Sequence, residues 1–210
     1  MKTTLKINTK NDLFKMKKTF THLLFFCFCL FLLGSTYGEE KERERISVAK
    51  FTGDGSLIRP ENIDEWIFLG ASVGHGYPPK ARAGKFSLSN PGQIQIVQME
   101  PFAYKYFKSH GHYADGTMLS LSFYNISKDP VPAVDGMVQG DLETFEIHLL
   151  DKERFNDKRA FYLYSGNEVE ASMIREGNDC VVCHDNEAHF DGTFSDFYPV
   201  IRDEILKGRR

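Results

Sequence analysis

The chain has 210 residues, 41% hydrophobic and 26% charged, with 26 basic against 29 acidic side chains for a net charge of −3. That balance leaves no basic surplus for nucleic acid or an anionic membrane surface, and the length suits one domain with a real core.

Residues 1–38 hold Lys2, Lys6, Lys10, Lys15, Lys17 and Lys18 against one acid, Asp12. An apolar run from Leu23 to Leu33 follows, ending in Gly34-Ser35-Thr36-Tyr37-Gly38. A basic start, an apolar stretch too short to span a bilayer and a small-residue end predict a signal peptide over 1–38, cleaved near Gly38. Met16 opens a more ordinary signal, so the start can be Met1 or Met16. The rival reading is an uncut membrane anchor, which the short apolar run argues against. Cleavage removes 6 basic residues and 1 acidic one, leaving 20 against 28 and a net charge of −8. The expected mature protein is periplasmic, free of the membrane and no partner for nucleic acid. Residues 39–47 are a charged segment expected to fray, and 48–207 form the domain.

Arg59-Pro60-Glu61-Asn62 resembles a helix start, with Ile63, Trp66, Ile67 and Leu69 as its apolar stripe. Lys80, Arg82 and Lys85 fall in a Pro/Gly-punctuated loop and read as a solvated tip. Gln93 to Met99 alternates with period two and predicts a strand. Pro101 to Ser109 predicts an aromatic helix stopped by Gly111, with Phe102 to Phe107 exposed for an interface. Met118 to Ile126 is a second strand, broken by Pro130 and Pro132. Leu142 to Leu150 is a third, with Phe145, Ile147 and Leu149 on one face and Thr144, Glu146 and His148 on the other. Ala160 to Ser165 is a fourth. Glu168 to Arg175 reads as helix, and Thr193 caps a last helix that Pro199 must kink or restart. The fold class is α+β: mainly antiparallel sheet with flanking helices.

Cys180-Val181-Val182-Cys183-His184 carries the chemistry. Two thiols three positions apart can reach the two vinyl groups of one porphyrin, and the adjacent imidazole can coordinate its iron. Cys27 and Cys29 leave with the signal, so the mature chain keeps only Cys180 and Cys183. One close pair cannot form a disulfide framework. Three readings stay open: a covalent haem; a zinc site from Cys180, Cys183, His184 and His189; and a small disulfide loop.

Several segments come in a familiar order: Phe51-Thr52-Gly53-Asp54-Gly55-Ser56-Leu57, the Trp66 segment, Glu100-Pro101 with Tyr104, Asp115-Gly116-Thr117, Gly140-Asp141, Phe161-Tyr162, the cysteine motif and Phe194 to Arg202. Together they resemble the cytochrome P-460 family, which includes the cytochromes c′-β, over about Val48 to Ile205. The resemblance implies a mainly antiparallel β fold, usually a homodimer, with one covalent haem c per chain near the C-terminus and five-coordinate iron. It puts Cys180 and Cys183 on the thioether cysteines and His184 on the proximal iron ligand. Glu146 falls on a distal carboxylate that relays protons, and Ala171 on a small residue near the haem pocket. Leu121 stands where hydroxylamine-oxidising members carry a lysine bonded to the porphyrin, and Gln95 where they carry a distal arginine. Those departures favour the c′-β side, in which an apolar pocket binds nitric oxide or carbon monoxide.

The expected function is an exported c-type haem protein whose open iron face binds a diatomic ligand such as nitric oxide. The alternatives are a haem oxidoreductase acting on hydroxylamine or nitric oxide, with Glu146 taking protons, and an electron-transfer cytochrome with a periplasmic partner. The last needs a sixth iron ligand, for which His75, His110, His112, His148, His189 and Met99, Met118, Met137 or Met173 are the available side chains.

Overall fold

The computed structural model describes residues 45–46, 48–74, 92–127 and 136–208. The expected signal peptide, the charged run through Glu44, His75, the basic residues Lys80, Arg82 and Lys85, and Pro130 and Pro132 lie outside the described residues.

The first strand, β1 (Leu57–Ile58), pairs with the last, β7 (Glu170–Ala171). Between them β2 (Ile67–Val73), β3 (Ile94–Met99), β4 (Thr117–Ser127), β5 (Val138–Leu150) and β6 (Arg159–Ser165) form one antiparallel sheet in chain order. Among the described residues three α-helices complete the α+β architecture: α1 (Pro101–His110), α2 (Asp179–Glu187) and α3 (Pro199–Gly208).

Period-two alternation divides the sheet into two faces. Phe145, Ile147 and Leu149 of β5 are buried with Met118, Tyr162, Tyr164 and Trp66 in one apolar cluster. On the opposite face the register sets Val97 beside Leu121, Leu121 beside Glu146, and Leu119 beside His148, which in turn neighbours Phe161. Because successive side chains point to opposite faces, these residues line one surface together.

The second face is covered at one end by α1 and α3. Leu69, Met99 and Leu119 pack there against Ala103, Phe107, Ile201 and Ile205. The Glu100 carboxylate caps α1 by accepting from the Ala103 N–H at 2.8 Å, and Gly111 closes it at φ 71°, as the sequence predicts. Pro199 restarts the chain as α3 after a 3₁₀ turn at Ser195–Phe197. Gly70 lets Tyr198 lie against β2, since a Cβ there would fall 2.3 Å from the ring.

Three sequence expectations are corrected. The helix expected after Arg59 is only a 3₁₀ turn at Ile63–Glu65, and Ile67 and Leu69 belong to β2. Pairing along the whole length of β3 outweighs the short apolar stripe. The helix expected over Glu168 to Arg175 is instead extended chain. It pairs with β1 and bridges to β6 through Met173 and Tyr162, while the Arg59 N–H donates to the Val169 carbonyl at 2.8 Å. The aromatic segment of α1 is not a continuous exposed surface: Phe102 is exposed, but Tyr106 and Phe107 are buried because they sit on the core-facing side of the helix.

Candidate functional site

The cysteine motif lies on α2, immediately after an Asn178 cap whose side chain accepts from the Cys180 N–H at 3.0 Å. Three-residue spacing on a helix puts Cys180 and Cys183 on one face, and His184 follows a turn beyond Cys180. Both thiols are free and half-buried. Burial, with the nearby Glu146 charge adding to it, pushes the Cys180 thiol up to about 11, and burial also raises Cys183. Redox-active cysteine pairs have depressed values, so this pair does not have the electrostatics of a disulfide exchanger.

A cavity of about 500 Å³ opens between the sheet face and α2. Val97, Leu119, Leu121, Glu146, His148 and Phe161 form its sheet wall. Cys183, His184 and Glu187 come from α2, and Thr193, Phe194, Ser195, Phe197 and Tyr198 from the segment before α3. The size matches small-molecule and cofactor sites, and the walls are mainly apolar.

His184 is held on several sides. Its Nδ1–H donates to the Gly192 carbonyl at 2.7 Å. A carbonyl can only accept, so Nδ1 carries the proton and Nε2 keeps a free lone pair, the arrangement used by metal-ligating histidines. The rings of Phe161, Phe194 and His148 surround it at centroid distances of 4.7, 4.8 and 4.9 Å. Burial lowers the His184 pKa, favouring the neutral imidazole that a metal needs.

His148 is buried, stacked on Phe161 at 4.2 Å, and its pKa is well below the ordinary histidine value because of burial, with the charges of His184 and Arg159 adding to it. Iron between two imidazoles needs ring centres about 6 Å apart, from two metal–nitrogen bonds of about 2 Å plus the ring radii. At 4.9 Å the His148 and His184 rings are closer than that and meet edge to face, which leaves no room for an iron between them. Of the other described candidates for a sixth ligand, none lines the cavity.

Glu146 lies in the sheet wall beside Leu121, and burial raises its carboxyl to about 7. Gln95 is buried in the same wall, its Oε1 accepting from the Ser72 hydroxyl at 3.1 Å. Ala171 is elsewhere: it pairs with Leu57 and belongs to the apolar cluster on the opposite sheet face. The extended chain over 170–173 carries it there. Phe161 and Phe194 enter the sequence reading only within segments that carry the family resemblance, with no role in the site. The alternation in β6, where Phe161 faces away from Ala160 and Tyr162, was the available signal for the first.

These residues fit a haem. Paired thiols on one helical turn, a tethered imidazole with a free Nε2 and a large apolar cavity form its donor set and its container. Among the described residues, no three His, Cys, Asp or Glu side chains converge to hold a bare metal ion, so His189 does not complete a zinc site with the motif. A family model described as Cytochrome P460 matches residues 60–195. The chain belongs to the cytochrome P460 family. It is a c-type haem protein of the P460 kind. A comparison with curated proteins finds no match.

Proposed function

We propose that this cytochrome P460 family protein is an exported haem protein that binds a small uncharged diatomic ligand, nitric oxide foremost. One haem c is attached through Cys180 and Cys183, and His184 is its proximal iron ligand. When bound, the haem supplies an iron with a vacant coordination position. The protein supplies an apolar wall of Val97, Leu119 and Leu121 and withholds a competing ligand. The observation that carries this reading is the coincidence of the tethered His184 with that cavity, where among the described residues no methionine lies and the one further histidine is packed against His184 itself. Neutral ligands lose little on entering such a cavity, whereas ions would lose their hydration. The expectations of a signal cleaved near Gly38, a periplasmic location and a homodimer belong to the same proposal.

The test is the absorption spectrum of the reduced protein, matured with haem, before and after carbon monoxide or nitric oxide. A five-coordinate ferrous spectrum that changes on gas addition supports the reading. A six-coordinate spectrum indifferent to gas defeats it.

Glu146 favours a second reading, oxidation of hydroxylamine. A carboxyl titrating at about 7 in a cavity wall can accept a proton near neutrality as a nitrogen substrate is oxidised. Leu121, where a porphyrin-bound lysine would be needed in that class, weighs against it. Turnover of hydroxylamine with an artificial electron acceptor, lost in Glu146→Gln, would establish it.

A further inference from the structure

Arg159 opens β6 and is half-buried, with two partners that both lead to His184. Its Nη2 forms an ion pair with Asp185, the residue that follows His184 on α2. Its guanidinium also lies against Gly192, whose carbonyl accepts the His184 proton. A Cβ at Gly192 would fall 2.6 Å from Nη1 and 2.8 Å from Cζ, so a side chain there would displace the arginine. Gly192 also has φ 70°, in the left-handed region, so glycine serves both the turn and the close approach. Arg159 therefore joins the helix that carries the imidazole to the turn that fixes its tautomer.

We infer that Arg159 is a positioning residue for His184, holding the Gly192 carbonyl and Asp185 on either side of the imidazole and setting a positive charge beside the iron ligand. This rests on the reading of His184 as the iron ligand. A planar guanidinium can engage the Asp185 carboxylate while its face covers Gly192, which a lysine ammonium cannot do. A cation near a haem favours the form with less positive charge, which is the ferrous one. Asp185 offsets part of that field.

The experiment uses haem-loaded protein and reads the midpoint potential together with the ferrous iron–histidine stretching band in the resonance Raman spectrum. Arg159→Gln is expected to shift the ferric-to-ferrous ratio at fixed solution potential by about threefold or more toward ferric, about 28 mV at 59 mV per decade. Asp185→Asn removes the offsetting charge and is expected to shift the ratio the opposite way. Arg159→Lys keeps the charge but loses the fork, so the potential holds while the iron–histidine band broadens or moves. A haem-loaded Arg159→Gln protein with the wild-type potential and band overturns the inference. If that variant takes up no haem, Asp185→Asn decides: a shift toward ferrous supports it and an unchanged potential overturns it. A wild-type protein that lacks an iron–histidine band refutes the His184 reading beneath it, a result distinct from unchanged variants of a protein that has one.

Discussion

The two faces of β5 are built from alternate residues of one strand, yet they have opposite purposes. Phe145, Ile147 and Leu149 are buried and apolar and close against Tyr162 and Tyr164. Thr144, Glu146 and His148 alternate with them, and the last two look into the cavity beneath α2. The closed face gains from burying carbon, at roughly 25 cal/mol per Å². On the cavity face a carboxyl and an imidazole are held largely out of water, and the His148 Nε2 has no hydrogen-bond partner among the described residues. An unmatched buried polar atom costs about 1–3 kcal/mol. The closed cluster has an unpaired polar atom of its own, the Trp66 Nε1, so what sets the other face apart is a carboxyl and an imidazole held against an open cavity.

The sharpest break in that comparison is chemical. Replacing both Cys180 and Cys183 with serine is expected to abolish the mass gain of one haem while leaving the fold intact, because both thiols lie on α2 outside the two apolar clusters. Intact mass and circular dichroism check this together, and a retained haem mass would refute the attachment. The next largest effect belongs to the closed face. Ile147→Ala is expected to cost about 2–5 kcal/mol in urea unfolding, since the residue is fully buried. Leu121→Ala, in the cavity wall, should cost about 1 kcal/mol or less in the haem-free chain, because part of its surface already faces open space. Equal losses at the two positions would erase the distinction between the faces.

Much of this contrast was legible in the sequence, for physical reasons that differ by element. The alternation in β5 is unambiguous, so its two faces could be assigned before either was seen. Alternation alone does not say which polar face meets water, so it leaves Glu146 and His148 open, and only the family resemblance puts Glu146 beside a haem. The caps of α1 were legible because Pro101 and Gly111 act locally. The segments after Arg59 and Glu168 were misread because each is short, and long-range pairing with β3 and β1 overrode a weak helical stripe. Ala171 moved to the closed face with that second misreading. The Cys180-to-His184 motif needed no tertiary information; Asp191-Gly192 is a recognisable turn signal, but nothing local says that its carbonyl, eight residues away, meets the His184 ring.

Glu146 gives a smaller effect that depends on pH. Its folded pKa of about 7 lies above the ordinary value of 4.5, so the folded haem-free chain holds the proton more tightly than the unfolded chain. Its contribution to stability is therefore complete below pH 4.5 and is lost as pH rises to 7. At about 1.4 kcal/mol per pH unit, the loss across that window is up to about 3 kcal/mol. Glu146→Gln should flatten this part of the pH–stability curve, and an unchanged slope would mean that the carboxylate is well solvated.

The smallest effect expected is also the finest probe of register. Leu121 stands directly opposite Glu146, so Leu121→Lys would place an ammonium beside the carboxylate on the same face. Opposite charges paired across antiparallel strands contribute about 0.2–1 kcal/mol. The lysine favours ionised Glu146, so the pH window of falling stability should contract toward 4.5. In the haem-loaded variant, a red-shifted ferrous Soret band would follow only where the new amine reaches the porphyrin edge. A variant whose pH profile and spectrum both match the parent would separate Leu121 from Glu146, and the cavity wall would lose its central pair.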